Sequence, residues 1–322
     1  MTSGTARDSF TVAVTGATGF LGRHVVAALA ARGCKLRMLA RREPVDASWG
    51  DATPDIVLGA LDDPAALRRL VTGADAVLHL AGAIKAYSDE AFMQVNRDGT
   101  QALAEAMIEA APAAHLVHVS SLAARHPELS GYAASKRASE EAAFSVLGAE
   151  KVSVIRPPAI YGPGDRETMV FFELASRRFI PLPGKPAARI SLVHVADAAA
   201  LLAVRAMREP SGKVQSIADA CPDGYGWKQI LGAAAEAVGN RAPAYFQLPA
   251  GLLRGVGGSV GAFAKLIGRS DIISAGKIRE LLHEDWAVPE AELLREPAAP
   301  PQHSLLAGFA STAQWYRQAG WL

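Results

Sequence analysis

Tyr132 and Lys136 stand four residues apart in the segment Tyr-Ala-Ala-Ser-Lys, which puts both side chains on one face of a helix, one turn apart. A phenol beside an ammonium can exchange a proton with a bound substrate. Because a free phenol titrates near ~10, a tyrosine serving near neutrality needs its anion favoured by about three units, or ~4 kcal/mol, and the charge of Lys136 is an expected source. Ser121 follows an apolar run that reads as a parallel strand, at the end where such sheets place their ligands, and its hydroxyl suits it to hold the same substrate oxygen. By themselves Tyr132 and Lys136 fit an exposed amphipathic helix better than a site. Their combination with Ser121 and with a glycine segment upstream turns the balance toward chemistry.

That segment, VAVTGATGFLGRHVVAAL, sets Gly16, Gly19 and Gly22 between an apolar strand and an alanine-rich helix. The first glycine serves a tight turn, the second leaves room for a pyrophosphate, and the third lets helix and strand pack closely. The free N–H groups and positive dipole end of the helix then face the phosphates. This is a dinucleotide-binding fingerprint. Where an NAD-specific protein would place a carboxylate after the second strand, the chain has Ala40, Arg41 and Arg42. An arginine there can pair with a 2′-phosphate, which favours NADP(H) and leaves NAD(H) as the alternative; the other reading is two solvated charges after a strand.

The elements that must carry these residues alternate. Thr11–Thr15, Lys35–Ala40, Asp55–Leu58, Ala76–Leu80, Leu116–Ser120 and Val152–Arg156 read as strands, separated by helices at Leu21–Ala31, Ala65–Leu70, Thr100–Ala110 and Ala133–Leu147. Asp63-Pro64 supplies an N-cap and a first-turn proline to the second helix. The order predicts an α/β fold, a doubly wound parallel Rossmann sheet with a smaller C-terminal substrate lobe. The dinucleotide-binding part spans 1–164, with 190–220 returning to it as a helix over Ile190–Met207 and a strand over Val214–Ala218; 165–189 and 221–322 form the substrate lobe.

A chain of 322 residues, half of them apolar, has enough material for such a two-lobed unit. Its formal net charge of +1 excludes the electrostatic footprint of a nucleic-acid binder. Cys34 and Cys221 are too few for a disulfide framework and suit a reducing, cytoplasmic setting. The first ten residues lack the apolar run of a signal peptide. No histidine spacing suggests zinc, and no carboxylate pair invites metal-assisted chemistry, so no metal is expected.

The chain resembles the extended short-chain dehydrogenase/reductase family, which includes sugar-nucleotide epimerases, dihydroflavonol reductases, 3β-hydroxysteroid dehydrogenases and bacterial reductases of 3-oxo-ceramide. The resemblance covers nearly the whole chain and rests on TGATGFLG, HLAG at His79–Gly82, VNRDGT around Asn96, VSS ending at Ser121, YAASK, RPPAIYGPG and SLVHVADAA. It implies that Tyr132 protonates the oxygen as hydride reaches the carbonyl carbon, and that Lys136 bonds the nicotinamide ribose. The positive oxidised nicotinamide would help to stabilise the tyrosine anion. It implies cofactor contacts at Gly16, Thr18, Gly19, Phe20, Leu21, Gly22, Arg41, Arg42, Leu61, Leu80, Ala81, Gly82, Tyr132, Lys136, Pro157 and Ile160. Asn96 resembles the family asparagine beside the site, with a helix-cap or buried hydrogen-bond role as an equal reading. Homodimerisation is a family expectation.

Two departures stand out. The family's Gly-Asp-Leu near the third strand is Gly59-Ala60-Leu61 here, which leaves the Leu61 backbone for the adenine contact, while Asp62 and Asp63 read better as the start of a helix. VSSLAARHP lacks the usual Tyr-Gly ending, which puts the substrate-facing loop in doubt. His194 and Asp197 are expected to be structural.

The leading function is NADP(H)-dependent reduction of a ketone on a hydrophobic, lipid-like small molecule. The rivals are a sugar-nucleotide epimerase or dehydratase and a non-catalytic nucleotide-binding accessory protein, which would need neither Tyr132 nor Lys136. The lipid reading draws on Leu252, Leu253, Val256, Val260, Phe263, Leu266 and Ile267, an apolar stripe at helical spacing beside Arg254, Lys265 and Arg269. That pattern suits peripheral association with an anionic membrane surface or, equally, a helix packed on the core.

Overall fold

The computed structural model describes residues 10–44, 49, 53–248, 251 and 275–322. The stripe from Leu252 to Ile267 lies outside the described residues. The first half alternates strand and helix: β1 (Thr11–Thr15), α1 (Phe20–Ala30), β2 (Lys35–Ala40), β3 (Asp55–Leu58), α2 (Pro64–Val71), β4 (Ala76–His79), α3 (Asp89–Met93), α4 (Gly99–Ala110), β5 (His115–Val119), α5 (Gly131–Leu147) and β6 (Val152–Arg156). Then come β7 (Ala159–Tyr161), α6 (Met169–Ala175), β8 (Phe179–Leu182), β9 (Arg189–Ile190), β10 (Leu192–His194), α7 (Val195–Ala206), β11 (Val214–Ser216) and α8 (Trp227–Val238). Last are β12 (Ala244–Gln247), α9 (Ala275–Leu282), β13 (Asp285–Trp286) and α10 (Leu305–Gln318).

Seven strands form one parallel sheet in the order β11-β6-β5-β4-β1-β2-β3. The chain reverses direction across the sheet between β1 and β4, the switch point that opens a crevice at the strands' carboxyl ends. Successive residues of a strand face opposite sides, and both sides are covered. Val12 and Val14 pack with Val25, Val26 and Leu29 of α1 and with Leu201 and Leu202 of α7. Ala13 faces the other way, into a core with Leu67 and Leu70 of α2, Leu103 and Met107 of α4 and Ala143 of α5. A fully buried leucine such as Leu29 contributes roughly 1.5–3 kcal/mol by leaving water. A third core joins Tyr161, Phe172, Ile180, Trp227, Ile230, Phe309 and Tyr316, with β7–β10, β8–β12 and β9–β13 pairing as short parallel ribbons.

Most predicted elements fall within a residue or two of the observed ones. Over 190–207 the helix begins only at Val195, and the residues before it form β9, β10 and the link between them. His194 is the cause, because its Nδ1 accepts from the Ala196 amide at 3.3 Å and so caps α7, while Leu192–His194 pairs with Ala159–Tyr161. Asp63 caps α2, accepting from Ala65 and Ala66 at 3.0 Å. Among the described residues, no helix is long and apolar enough to cross a membrane.

Candidate active site

The turn after β1 is shaped by what cannot fit there. Gly16 has φ 74°, and a Cβ on it would stand 2.6 Å from the Ala81 nitrogen and 2.8 Å from the Leu80 carbonyl carbon, so β1 and β4 can meet at the crevice only through a glycine. A Cβ on Gly22 would run into the Gly16 carbonyl. At Gly19 it would meet only the Gly16 oxygen, at 3.3 Å, which leaves that side open. Gly19 caps α1 without a side chain, and the first turn holds no acid, so the helix presents bare N–H groups and its positive end. This is a cradle that fits a dinucleotide pyrophosphate. Thr18 and Gly19 are exposed there; Phe20 meets the His24 ring edge-on, and His24 Nε2 pairs with the Pro163 carbonyl at 3.1 Å, fastening α1 to the loop after Ile160.

At the sheet's other crevice edges, Arg41 and Arg42 are exposed just beyond β2 and engage no described residue. The Leu61 side chain packs toward Gly99, where α4 begins. Pro157 is buried, and its carbonyl accepts from Leu122, the residue after Ser121, at 2.8 Å.

Ser121 and Tyr132 come together as the sequence implies, with the Ser121 side chain close enough to the phenol to favour its anion. Ser121 also opens a short helical turn, accepting from Ala123 at 3.2 Å, so its position is fixed by the backbone as well. The Tyr132 ring lies edge-on to Phe92 at 5.9 Å. Burial pushes the Tyr132 phenol up to about 12; the Ser121 side chain pulls the other way, and the Glu280 carboxylate adds to the rise. This reverses the shift expected from sequence. Lys136 does not supply the compensation because its Nζ is turned to the Val119 carbonyl, at 2.9 Å. Burial lowers Lys136 itself to about 8, against the pull of Glu140.

Asn96 sits in a π-helical turn, Gln94–Asp98, between α3 and α4. Such turns offset the helix ladder and often aim a side chain at a functional site. Its Oδ1 accepts from the Ala83 amide at 2.7 Å, and its Nδ2 donates to the Ala83 carbonyl at 3.1 Å and to Ser135 Oγ at 2.8 Å. Asn96 therefore holds the Leu80–Ala83 loop against α5, and Ser135 in turn donates to the Tyr132 carbonyl at 2.8 Å. It is a positioning residue in this arrangement.

Sequence reasoning missed the polar groups beneath this floor. Thr15 Oγ1 pairs with His79 Nδ1 at 2.6 Å, His79 Nε2 with Thr100 Oγ1 at 3.0 Å, and Thr100 donates to the Asn96 carbonyl at 2.6 Å. His79 stacks on His118 at 5.3 Å, and His118 Nε2 pairs with Ser139 Oγ at 2.9 Å. Burial lowers His79 to about 3 and His118 well below its usual range, so both are neutral. The available signal was the pair His79 and His118, polar residues in two mainly apolar strands that stand in register with each other. His194 and Asp197 lie apart from this cluster; Asp197 accepts from the His303 amide at 3.0 Å and pairs with its ring at 2.9 Å. Among the described residues, no group of three or more His, Cys, Asp or Glu is placed to hold a metal.

The sequence matches the model of the NAD dependent epimerase/dehydratase family over residues 12–218. It is 45% identical over 312 residues to the ceramide reductase of Caulobacter vibrioides (strain NA1000 / CB15N), spanning 97% of this chain and 96% of that one. Its fold is similar to the crystal structure of gox2253, with TM-score 0.75, 22% identity and coverage of 98% of this chain and 100% of that chain. It is also similar to the UDP-glucose 4-epimerase of Thermus thermophilus, solved with NAD, with TM-score 0.66, 21% identity and coverage of 96% of this chain and 100% of that chain. The chain belongs to the NAD-dependent epimerase/dehydratase family of extended short-chain dehydrogenases/reductases and is an NAD(P)-dependent oxidoreductase.

Proposed function

We propose that the protein reduces a ketone on a lipid-like substrate of the 3-oxo-ceramide class to a secondary alcohol, using NADPH. The observation that carries this reading is the near full-length similarity to a ceramide reductase. The site supports it in three ways. Tyr132, raised to about 12, bears its proton at neutral pH, the state needed by an acid that completes carbonyl reduction. Arg41 and Arg42 are exposed just beyond β2 and engage no described residue, which suits them to pair with a 2′-phosphate. On the loop that Asn96 pins at Ala83, Ile84 and Tyr87 are 61% and 69% exposed, which offers apolar surface to a chain-bearing substrate.

When bound, a reduced nicotinamide would supply the hydride for the carbonyl carbon. Ser121 holds the carbonyl oxygen and Tyr132 gives its proton to that oxygen as negative charge develops there. The phenolate left on Tyr132 is favoured by the Ser121 hydroxyl until a proton returns from solvent. Lys136, fixed by the Val119 carbonyl and next to Gly82, where a Cβ would lie 3.8 Å from Nζ, would bond the nicotinamide ribose when the cofactor is bound. Asn96 keeps the Leu80–Ala83 loop in register with α5, and the apolar segment outside the described residues is the proposed contact with a lipid surface.

The test is NADPH oxidation with 3-keto sphingolipids, steroid ketones and keto-sugar nucleotides, run beside liposome co-sedimentation. The proposal expects turnover of a 3-keto lipid and binding to anionic liposomes. Turnover confined to a sugar nucleotide, with no liposome binding, would replace it by the epimerase-like reading.

A further inference from the structure

One helical turn beyond Lys136, Glu140 is 2% exposed and has no part in the chemistry described above. Its carboxylate accepts Nε and Nη2 of Arg156 at 2.7 and 2.6 Å and the Ser120 hydroxyl at 2.5 Å. Arg156 ends β6 and is itself buried; Ser120 leads from β5 to Ser121. A buried ion pair adds little net stability over apolar side chains of the same volume. Its position beside a buried ammonium gives it a different use.

The other titratable groups around Lys136 carry no charge near neutrality. On its own helix Tyr132 is pushed up to about 12; from β4 and β5, His79 is lowered to about 3 and His118 well below its usual range. Among the described residues, Glu140, with Arg156 behind it, is what remains to face the ammonium with charge. We propose that Glu140 and Arg156 are positioning residues that set the charge state of Lys136 with opposite signs, the carboxylate holding the ammonium protonated and the guanidinium limiting that hold. The significance for catalysis rests on Lys136 serving the proposed reaction.

The two members of the pair are separable. Glu140→Gln removes the carboxylate whose charge holds the Lys136 proton, so Lys136 gives up its proton at lower pH. Arg156→Met leaves the carboxylate with Lys136 as its cationic neighbour, so the proton is held to higher pH. Both variants break the same ion pair, and a merely structural role would move Lys136 the same way in both.

The experiment follows the Lys136 titration by NMR in cofactor-free protein labelled at lysine Cε, the resonance being the one lost in Lys136→Met. From a starting midpoint of about 8, the expected shifts are down by about one unit in Glu140→Gln and up by about one unit in Arg156→Met. The double variant should lie between them. Equal midpoints, or shifts of one sign, overturn the proposal. Should Glu140→Gln fail to fold, Arg156→Met must still titrate above the double variant, and equality of those two overturns it as well. The pH profile of turnover separates the two readings: opposed midpoints that the rate ignores keep the pair's role and remove Lys136 from the reaction.

Discussion

Lys136 donates to the Val119 carbonyl at 2.9 Å, so the ammonium is anchored to the strand end that presents Ser121 and is not engaged by the Tyr132 hydroxyl. The two halves of the Tyr-Ala-Ala-Ser-Lys motif thus have separate partners. Tyr132 is held with Ser121, and Lys136 is held to the sheet facing Gly82.

That separation predicts different losses. Tyr132→Phe keeps the ring against Phe92 and removes only the proton donor, so turnover should fall ~10²–10⁴-fold while NADPH affinity stays within a few-fold. Lys136→Ala should damage both. Steady-state rates and NADPH fluorescence titration check this; a Phe variant with more than about a tenth of the wild-type rate contradicts the assignment.

Gly16 and Gly19 should fail in different ways. Gly16→Ala adds a Cβ against the Ala81 and Leu80 backbone at a positive φ, and should lose about 1–3 kcal/mol of stability or more, seen as a fall in Tm. Gly19→Ala meets only one oxygen at 3.3 Å, so it should keep its Tm and lose cofactor affinity. Equal melting temperatures for the two would contradict the close-packing account of Gly16.

Arg41→Asp should reverse the cofactor preference, because it exchanges a 2′-phosphate partner for an acceptor of ribose hydroxyls and a repulsive charge. The ratio of kcat/KM with NADPH and NADH measures it. An unchanged ratio would make Arg41 a solvated charge.

Acid should destabilise the fold before the carboxylates titrate. His79 is lowered to about 3 and His118 well below 6.5, so between pH 6.5 and about 4 the unfolded chain binds protons that the folded one refuses. Stability present above pH 6.5 is therefore lost as pH falls, on the order of 2 kcal/mol for His79 by about pH 4.5, with His118 adding a loss of the same sign. Urea denaturation at about pH 7.5 and about pH 4.5 reads this, and His118→Gln should flatten the decline. Equal stability at the two pH values would contradict it.

The sheet was legible because six strands are short apolar runs punctuated by glycine, proline and capping residues, as at Asp63-Pro64. The nucleotide cradle was legible because Gly16, Gly19 and Gly22 act through the backbone, where spacing alone carries the geometry. The protonation of Tyr132 was not, since it depends on burial and on where Lys136 points, neither of which periodicity encodes. The His79–His118 stack and the Glu140–Arg156 pair join residues far apart in sequence, and only the strand order brings them beneath the site.

The most direct measurement of the central claim is the stoichiometry of NADPH oxidation against alcohol formed from a 3-keto sphingolipid. A reductase with Tyr132 as the acid gives one alcohol for each NADPH consumed, abolished in Tyr132→Phe. Conversion without net NADPH consumption, or the same yield in the Phe variant, would contradict the account.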